Sequence, residues 1–217
     1  LPLGKGFAMK CLRVWAATGL LLGAISALAA APATAAKAAP VKAVAAAPTS
    51  NQLLAAQSEV RFTAKQMGVP MQGMFTKLTG SVQWNAAKPE ASRIRLEIPV
   101  ASATVGAPEM DEELPKAEWF AASQFPTAVF ESSAVHALGA NRFEVAGTLS
   151  IKGVKLPVKT QATVLPNAAD KGATSSATGS LDIARLAYKI GQGSWGDTSV
   201  VADPVQIQYR IRLKTQP

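Results

Sequence analysis

The segment GTLSIKGVKLPVKTQATV, residues 147–164, alternates apolar and polar side chains on both sides of a Lys-Gly pair. Leu149 and Ile151 share one face before the pair, and the alternation resumes after it. A period of two is typical of a strand with one buried face, and Lys152-Gly153 suits a two-residue turn. The segment therefore predicts a β-hairpin whose apolar face covers either its own core or a guest molecule.

The same alternation recurs along the chain and predicts about eight strands. Glycines at positions 73 and 80 indicate a bend, so residues 71–84 are interpreted as one long bent strand. The predicted strands are residues 58–66, 71–84, 92–100, 127–135, 141–151, the second arm of the hairpin, 173–183 and 204–213.

Only one stretch has helical character, PEMDEELPKAEWF at residues 108–120, and Pro115 is expected to interrupt it. Strands joined mostly by short turns pair antiparallel. We therefore predict an all-β fold, an eight-stranded antiparallel β-barrel with one short helical segment, because closure removes exposed edges. A two-sheet sandwich stays open as the alternative.

The N-terminal region has the three parts of a secretory signal peptide. From Met9, the basic residues Lys10 and Arg13 precede an apolar run over 14–28, and small residues with Ala-x-Ala cleavage motifs follow. Residues 1–35 are therefore predicted to be a cleaved signal peptide that starts at Met9. An uncleaved membrane anchor is the alternative, but the apolar run is short for a span.

The predicted domain boundaries follow from composition. Residues 36–57 are rich in Ala, Pro and Lys without a sustained period, which predicts a flexible linker, and the ordered domain is expected over residues 58–214. The single cysteine, Cys11, lies in the signal peptide. The exported chain would thus have no thiol and no disulfide.

Charge and motifs give little support for nucleic-acid binding or catalysis. The net charge of +8 falls to +5 without three leader residues, which suits an ordinary basic surface. His136 is the sole histidine, so a His-based metal site lacks partners, and the sequence has no P-loop or dinucleotide fingerprint. We therefore predict a protein that is not an enzyme and has no catalytic cofactor, metal site or nucleic-acid partner.

Aromatic residues cluster after the helical stretch: Trp119, Phe120, Phe125 and Phe130. They are expected either to plug one end of the barrel and pin the helix to it, or to ring the mouth of a cavity. The sequence leaves both interpretations open.

Four segments together resemble the YceI-like, polyisoprenoid-binding family: residues 69–84, 114–133, 145–158 and 188–213. The resemblance implies a lipocalin-like barrel in the periplasm that holds a long isoprenoid lipid, a polyprenyl phosphate or an isoprenoid quinone. It also implies a homodimer and a link to cytochrome b561-type membrane redox proteins. In a second interpretation, side chains fill the barrel, and the protein is a stress-response or accessory partner of such a redox protein.

Two positions depart from that family's pattern. Ala121 stands where the family often has Asp, and Met110 stands where Arg commonly precedes the Asp that matches Asp111. Both departures weaken the case for polar contacts to a headgroup.

If the barrel holds a lipid, its inward apolar side chains line the tunnel. Small residues on these faces, Ala64, Gly147, Ala162, Ala177 and Gly179, are expected to leave room for it, while Lys152, Lys155 and Lys159 should point to water. The predicted lining is Phe62, Phe75, Trp84, Leu96, Ile98, Trp119, Phe120, Phe130, Phe143, Leu149, Ile151, Val154, Leu156, Leu181 and Ile207.

Overall fold

The computed structural model describes residues 50–215. The predicted signal peptide and residues 36–49 of the predicted linker lie outside the described residues. Over the described range the strands are β1 (Ser50–Leu53), β2 (Glu59–Gln66), β3 (Val69–Phe75), β4 (Thr79–Gln83), β5 (Arg93–Pro99), β6 (Ala103–Thr104), β7 (Thr127–Gly139), β8 (Arg142–Ile151), β9 (Val154–Pro166), β10 (Thr174–Ala184) and β11 (Pro204–Thr215), and the α-helix is α1 (Pro108–Glu113). Short 3-10 helices cover Ala55–Gln57, Pro89–Ala91, Val100–Ser102, Ala168–Asp170, Arg185–Tyr188 and Gly193–Trp195.

The sheet closes into the predicted eight-stranded antiparallel barrel. Its order is β1-β4-β5-β7-β8-β9-β10-β11, and β11 returns to β1 with Leu53 opposite Leu213. Farther along the same edge of β11, Gln206 to Arg210 pair with β2, which leads on to β3 and β6. One closed sheet excludes the two-sheet sandwich.

The hairpin within residues 147–164 has the predicted turn. Ile151 pairs with Val154, and the two residues between them, Lys152 and Gly153, have φ angles of 49° and 76°. Two positive φ angles in a two-residue loop define a type I′ turn, whose twist matches the right-handed twist of the flanking strands. The predicted hairpin is therefore confirmed.

The predicted boundary between linker and domain is wrong, because the barrel begins before Ser58. Asn51 and Leu53 of β1 pair with β11, and Ser50 pairs with Gln83 of β4. A four-residue strand is too short to show a period of two, so this segment reads as a continuation of the Ala-rich stretch. Residues 50–57 belong to the domain.

The long bent strand predicted over residues 71–84 is instead two strands, β3 and β4. They separate at residues 76–78, where the Thr76 N–H donates to the Ser102 carbonyl at 3.0 Å and leaves the ladder. Pairing resumes at Thr79, opposite Glu97, and the next residue, Gly80, has φ 147°; a Cβ on Gly80 would collide with the carbonyl oxygen of Arg95. The predicted bend is therefore a break in the strand.

One end of the barrel is covered by two segments that we name the cap: residues 100–126 and 185–203. The helix α1 lies in the first segment and ends before Pro115, as predicted. Buried cap side chains form one apolar cluster with the barrel residues Ala128, Ile151 and Ile183. The cap therefore shares a core with the barrel. The opposite end carries the β7–β8 and β9–β10 connections.

Candidate functional site

The barrel encloses a cavity of about 210 Å³ whose wall is almost wholly apolar. Its wall runs from Leu213, where β11 nears the opposite end, to Met110 and Val201 in the cap. Val205 and Leu213 both lie on the wall, and eight residue steps of strand measure about 26 Å. The cavity is thus an elongated apolar space along the barrel.

Twelve of the fifteen predicted lining residues lie on this wall. Alternation along each strand directs these side chains to the inner face, and the cap supplies two of them. They are Phe62, Phe75, Trp84, Leu96, Ile98, Trp119, Phe120, Phe130, Leu149, Ile151, Leu181 and Ile207.

Three predicted residues lie off the cavity wall. Phe143 is buried and packs edge-on against Trp84, with ring centroids 4.7 Å apart. Val154 and Leu156 are half-buried against the apolar cluster at the capped end. Leu156 lies directly opposite Leu149, so it shares the inner face, but it contacts the apolar cluster and not the open space.

The inward side chains show that the lumen is hollow. Leu96, Leu181 and Ile207 lie on the cavity wall yet are only half-buried. In a barrel filled by its own side chains, such residues would be fully covered, because protein interiors are close-packed. The open space accounts for their incomplete burial.

Three glycines of the barrel wall each lie beneath an aromatic ring. A Cβ on Gly179 would lie 2.6 Å from Cζ of Tyr209, and one on Gly147 would lie 2.7 Å from ring atoms of Phe130. Real Cβ atoms do not approach so closely, so each ring occupies the space of the missing side chain. The pairs are Gly73 with Phe62, Gly147 with Phe130 and Gly179 with Tyr209.

The expectation that small residues leave room for a guest holds for only some of them. Ala64, Ala162 and Ala177 lie on the cavity wall, so their short side chains do widen the lumen. At Gly147 and Gly179 the expectation is wrong, because aromatic rings fill the space. Ring and glycine together set the width of the lumen there.

Most polar groups in the wall are satisfied within the protein. The Thr160 hydroxyl donates to the Ser180 carbonyl at 2.9 Å, so the Tyr209 hydroxyl, 3.0 Å away, donates to Thr160. Burial raises the pKa of Tyr209, and this hydrogen bond partly opposes the rise. The hydroxyls of Tyr209 and Thr160 thus form an uncharged chain of hydrogen bonds that ends at the Ser180 carbonyl.

Arg185 is the functional residue that sequence reasoning missed. Its side chain is 1% exposed, lies on the wall, and donates to five backbone carbonyls of the cap. Burial lowers the pKa of Arg185, with the charge of Asp203 opposing it. The acceptors are Ile190 (2.9 Å), Gly191 (2.7 Å), Trp195 (2.8 Å), Val201 (2.6 Å) and Ala202 (3.1 Å). All five N–H donors of the guanidinium are therefore used.

The prediction that Lys152 points to water is wrong. Its Nζ donates to the carbonyls of Ala117 and Lys189, both at 2.7 Å, and to that of Glu118 at 3.3 Å. Burial lowers the pKa of Lys152, and the nearby charge of Lys189 lowers it further. The hairpin turn thereby connects both cap segments. Lys155 is exposed, as predicted.

The aromatic residues after α1 belong to the cap and the wall at once. Trp119 and Phe120 are buried in the apolar cluster and also lie on the cavity wall. Trp119 packs against Trp195 with ring centroids 5.4 Å apart, and Phe125 covers Gly153 of the hairpin. Trp119 and Phe120 therefore help to close this end of the barrel and also form part of the cavity wall.

Asp111 ties the start of α1 to β6. Its carboxylate accepts hydrogen bonds from the Thr104 hydroxyl at 2.6 Å and from the Val105 N–H at 2.7 Å. Both hydrogen bonds lower the pKa of Asp111 below its ordinary value of 3.8. The bond from the Thr104 hydroxyl has the larger effect, and the bond from the Val105 N–H has the smaller one. This stabilisation is present above the unfolded pKa and is lost as pH falls through the folded pKa.

We expect Asp111→Asn to lower stability at neutral pH, because the amide replaces a carboxylate that accepts two bonds. The difference from wild type should shrink as pH falls from the ordinary value of 3.8 toward the lower pKa of the folded state, where the native carboxyl also becomes protonated. Thermal unfolding at pH 7 and pH 3 measures this difference in stability. The matched control is Asp182→Asn, at a position that is exposed. A difference that is the same at both pH values would contradict this account.

Within the described residues, neither a cluster of metal-ligating side chains nor a long apolar helix is present. His136 lies exposed on β7, and no group of three or more His, Cys, Asp or Glu side chains within residues 50–215 could hold a metal ion. In the same range no helix has the length and apolarity needed to cross a bilayer.

A hollow, closed, eight-stranded antiparallel barrel with an apolar lumen places this chain in the class of lipocalin-like barrels. The YceI-like domain family matches residues 52–213, and the chain belongs to that family. The predicted family resemblance is thus confirmed.

Solved structures share the fold. BcnA of Burkholderia cenocepacia is 37% identical, with a TM-score of 0.70, and the alignment covers 74% of this chain and 99% of BcnA. A polyisoprenoid binding domain from Saccharophagus degradans, implicated in plant cell wall breakdown, has a TM-score of 0.64 over 77% of this chain and 99% of that one. At 16% identity, the second likeness concerns the fold alone.

Curated relatives carry the name UPF0312 protein. One from Azotobacter vinelandii is 35% identical over 100 residues, which are 46% of this chain and 52% of that protein. One from Pseudomonas putida strain W619 is 35% identical over 91 residues, 42% and 47% of the two chains. The match spans about half the length of these relatives.

Proposed function

We propose that this protein is a non-catalytic binding or carrier protein that holds a long isoprenoid-type lipid in the barrel lumen. The ligand classes are polyprenyl phosphates and isoprenoid quinones. One observation carries the proposal: the lumen is an elongated apolar space whose inward side chains are only half-buried. Each buried methylene is worth roughly 0.8 kcal/mol, so a few isoprene units give ample gross affinity before ordering costs.

The relationship to a solved domain supports the ligand class. The Saccharophagus degradans domain is described as polyisoprenoid-binding, and this chain shares its fold. The alternative, an accessory partner of a membrane redox protein, assumes a filled barrel, and the open lumen weighs against that assumption. Homodimer formation and a redox partner stay predictions from the family resemblance.

Lipid extraction from protein purified from its own host tests the proposal. We expect native mass spectrometry of the intact protein to show an added mass, and organic extraction to recover a stoichiometric isoprenoid. Protein expressed without that host's lipids and then delipidated serves as the control. Repeated recovery of no lipid from folded protein would contradict the carrier function.

Two neighbouring leucines give a position-specific test. Leu149→Gln places an amide on the cavity wall, where burying it without a partner costs about 1–3 kcal/mol, so lipid retention should fall at least several-fold. Leu156→Gln changes the residue directly opposite, which lies off the wall, and should retain lipid. Lipid per protein is measured beside the melting temperature of each variant. Equal losses of lipid in both variants would contradict the assigned wall.

We also propose export to the periplasm with removal of the signal peptide. The basic, apolar and small-residue regions that follow Met9 support it. N-terminal sequencing of the periplasmic protein should find a start between about residues 29 and 36. A full-length chain retained in the membrane would rule the proposal out.

A further inference from the structure

We propose that the end of the barrel opposite the cap docks on the surface of an anionic lipid bilayer. The docking surface consists of three connections, residues 84–93, 138–142 and 165–174, together with Lys214 of β11, and we name it the tip surface. It lies on the outside of the barrel, so docking goes beyond the proposed function and does not depend on what the lumen holds.

Strand pairing brings the segments of the tip surface together. The Val164 N–H donates to the Asn141 carbonyl at 2.9 Å, which joins the start of the β9–β10 connection to the β7–β8 turn. Lys214 pairs with the last residue of the β9–β10 connection. Trp84, at the start of the β4–β5 connection, packs against Phe143, which directly follows the β7–β8 connection. The three connections and Lys214 therefore share one end of the barrel.

The tip surface is basic. It has five basic residues, all of them exposed, and two acidic residues, Glu90 and Asp170, a net charge of +3. In the part of the chain that the structure describes, none of the five basic side chains belongs to an ion pair. Bases close to an anionic bilayer are attracted to it over about a Debye length, so such a surface attracts this end of the barrel. The five are Lys88, Arg93, Arg142, Lys171 and Lys214.

Two large apolar side chains are exposed on the same surface. Leu138 is 43% exposed and Leu165 is 51% exposed. Leu138 comes directly before the β7–β8 turn, and Leu165 follows Val164, which bonds to that turn, so both leucines lie beside it. Arg142 ends the same turn. Bases that meet lipid phosphates beside apolar side chains that enter the acyl boundary are typical of proteins that bind at a membrane interface.

The capped end has the opposite charge. The two cap segments contain seven acidic and three basic residues, a net charge of −4. Two other exposed apolar side chains, Met67 and Val69, lie at this end, where the Met67 N–H donates to the Val200 carbonyl of the cap at 2.7 Å. An anionic bilayer would repel the cap and attract the tip surface. The charge separation therefore orients the docked barrel with its cap away from the bilayer.

A bilayer fits the tip surface better than a nucleic acid does. Proteins that bind single strands stack the bases on aromatic side chains. Trp84 is the one aromatic residue in the three connections, and its ring is half-buried against Phe143. Leu138 and Leu165 instead expose aliphatic groups, which are stabilised by contact with acyl chains.

Sedimentation with vesicles tests the proposal. The exported protein is mixed with vesicles of phosphatidylcholine alone or of equal parts phosphatidylcholine and phosphatidylglycerol. We expect binding to the anionic vesicles to be at least about tenfold tighter at low salt and to weaken as salt screens the attraction. Equal binding to both vesicles, or binding to neither, overturns the proposal. Ala177→Phe, which places a ring in the lumen, should bind the anionic vesicles as wild type does, and its failure to bind would also overturn docking through the tip surface.

Matched apolar variants locate the contact. Leu138→Ser with Leu165→Ser should weaken binding to the anionic vesicles about fivefold or more, because less apolar surface enters the acyl boundary. Met67→Ser with Val69→Ser removes the more exposed pair at the capped end and should leave binding unchanged. If the leucine variant bound these vesicles as wild type does, charge alone would hold the protein, as on any soluble polyanion, and the bilayer assignment would be overturned.

Matched charge variants give the second arm. Lys88→Gln with Arg142→Gln should weaken binding to the anionic vesicles about tenfold or more, since both bases lie on the tip surface. Lys65→Gln with Lys155→Gln removes the same charge from exposed positions nearer the cap and should change binding by about twofold at most. Equal losses in the two variants would show that net charge alone matters and would overturn the assigned surface.

Discussion

Replacement of Arg185 by Gln is expected to lower the free energy of unfolding by about 3–5 kcal/mol, because each buried carbonyl left without a donor costs roughly 1–3 kcal/mol. Five carbonyls of the cap lose their partner at once, and the shorter amide reaches few of them. Chemical denaturation measured by near-UV circular dichroism gives the change. The cap should be affected first, since all five acceptors lie in it.

Two further variants make the Arg185 result specific. Arg185→Lys keeps the charge but offers three donors from a single point, so its loss of stability should fall between those of wild type and Arg185→Gln. Arg210→Gln removes an exposed arginine from β11 and should stay within about 0.5 kcal/mol of wild type. If Arg185→Gln matched Arg210→Gln, the five hydrogen bonds would contribute nothing to stability.

Filling the lumen is expected to weaken lipid binding strongly while the fold is retained. Ala177 lies on the wall between Val164 and Ile211 of the neighbouring strands, so Ala177→Phe places a ring in the open space. Displacing even two methylenes of ligand would weaken binding about tenfold or more. Because the ring enters a void, the free energy of unfolding should change by no more than about 1.5 kcal/mol.

The matched control for Ala177→Phe is Thr178→Phe, the next residue on β10, which is exposed. It adds the same ring on the outer face and should retain lipid. Extracted lipid per protein and the unfolding free energy are measured for both variants. Full lipid occupancy in Ala177→Phe would mean that the guest lies elsewhere than in this cavity.

The sequence predicts the structure best where a single strand shows the period-two pattern by itself. The hairpin, the strands from β7 onward and most of the wall follow from a period of two, because side-chain direction alternates within a single segment. Ten of the twelve predicted wall residues come from the predicted strands, and the other two, Trp119 and Phe120, come from the aromatic cluster after the helical stretch. Val154 and Leu156 have the right face, but whether a side chain meets open space or the cap depends on segments far away in the sequence.

What was missed depends on long-range partners. β1 is recognisable only through its pairing with β4 and β11, because four residues are too few to show a period. Arg185 resembles any polar residue between apolar neighbours, and its role appears only once the cap carbonyls surround it. Lys152 sits in a turn, where a long basic side chain normally faces water, yet the cap folds over it.

The seam between β1 and β11 determines when the barrel can be completed. Residues 51–53 are among the first of the domain to be synthesised, and their partners, residues 213–215, are among the last. The ring therefore stays open until nearly the whole chain is available, whatever local hairpins have formed. Contacts of such long sequence separation slow folding, in domains of this kind to milliseconds or seconds. Because the barrel closes this late, there is time for other proteins to bind the chain while it is still unfolded.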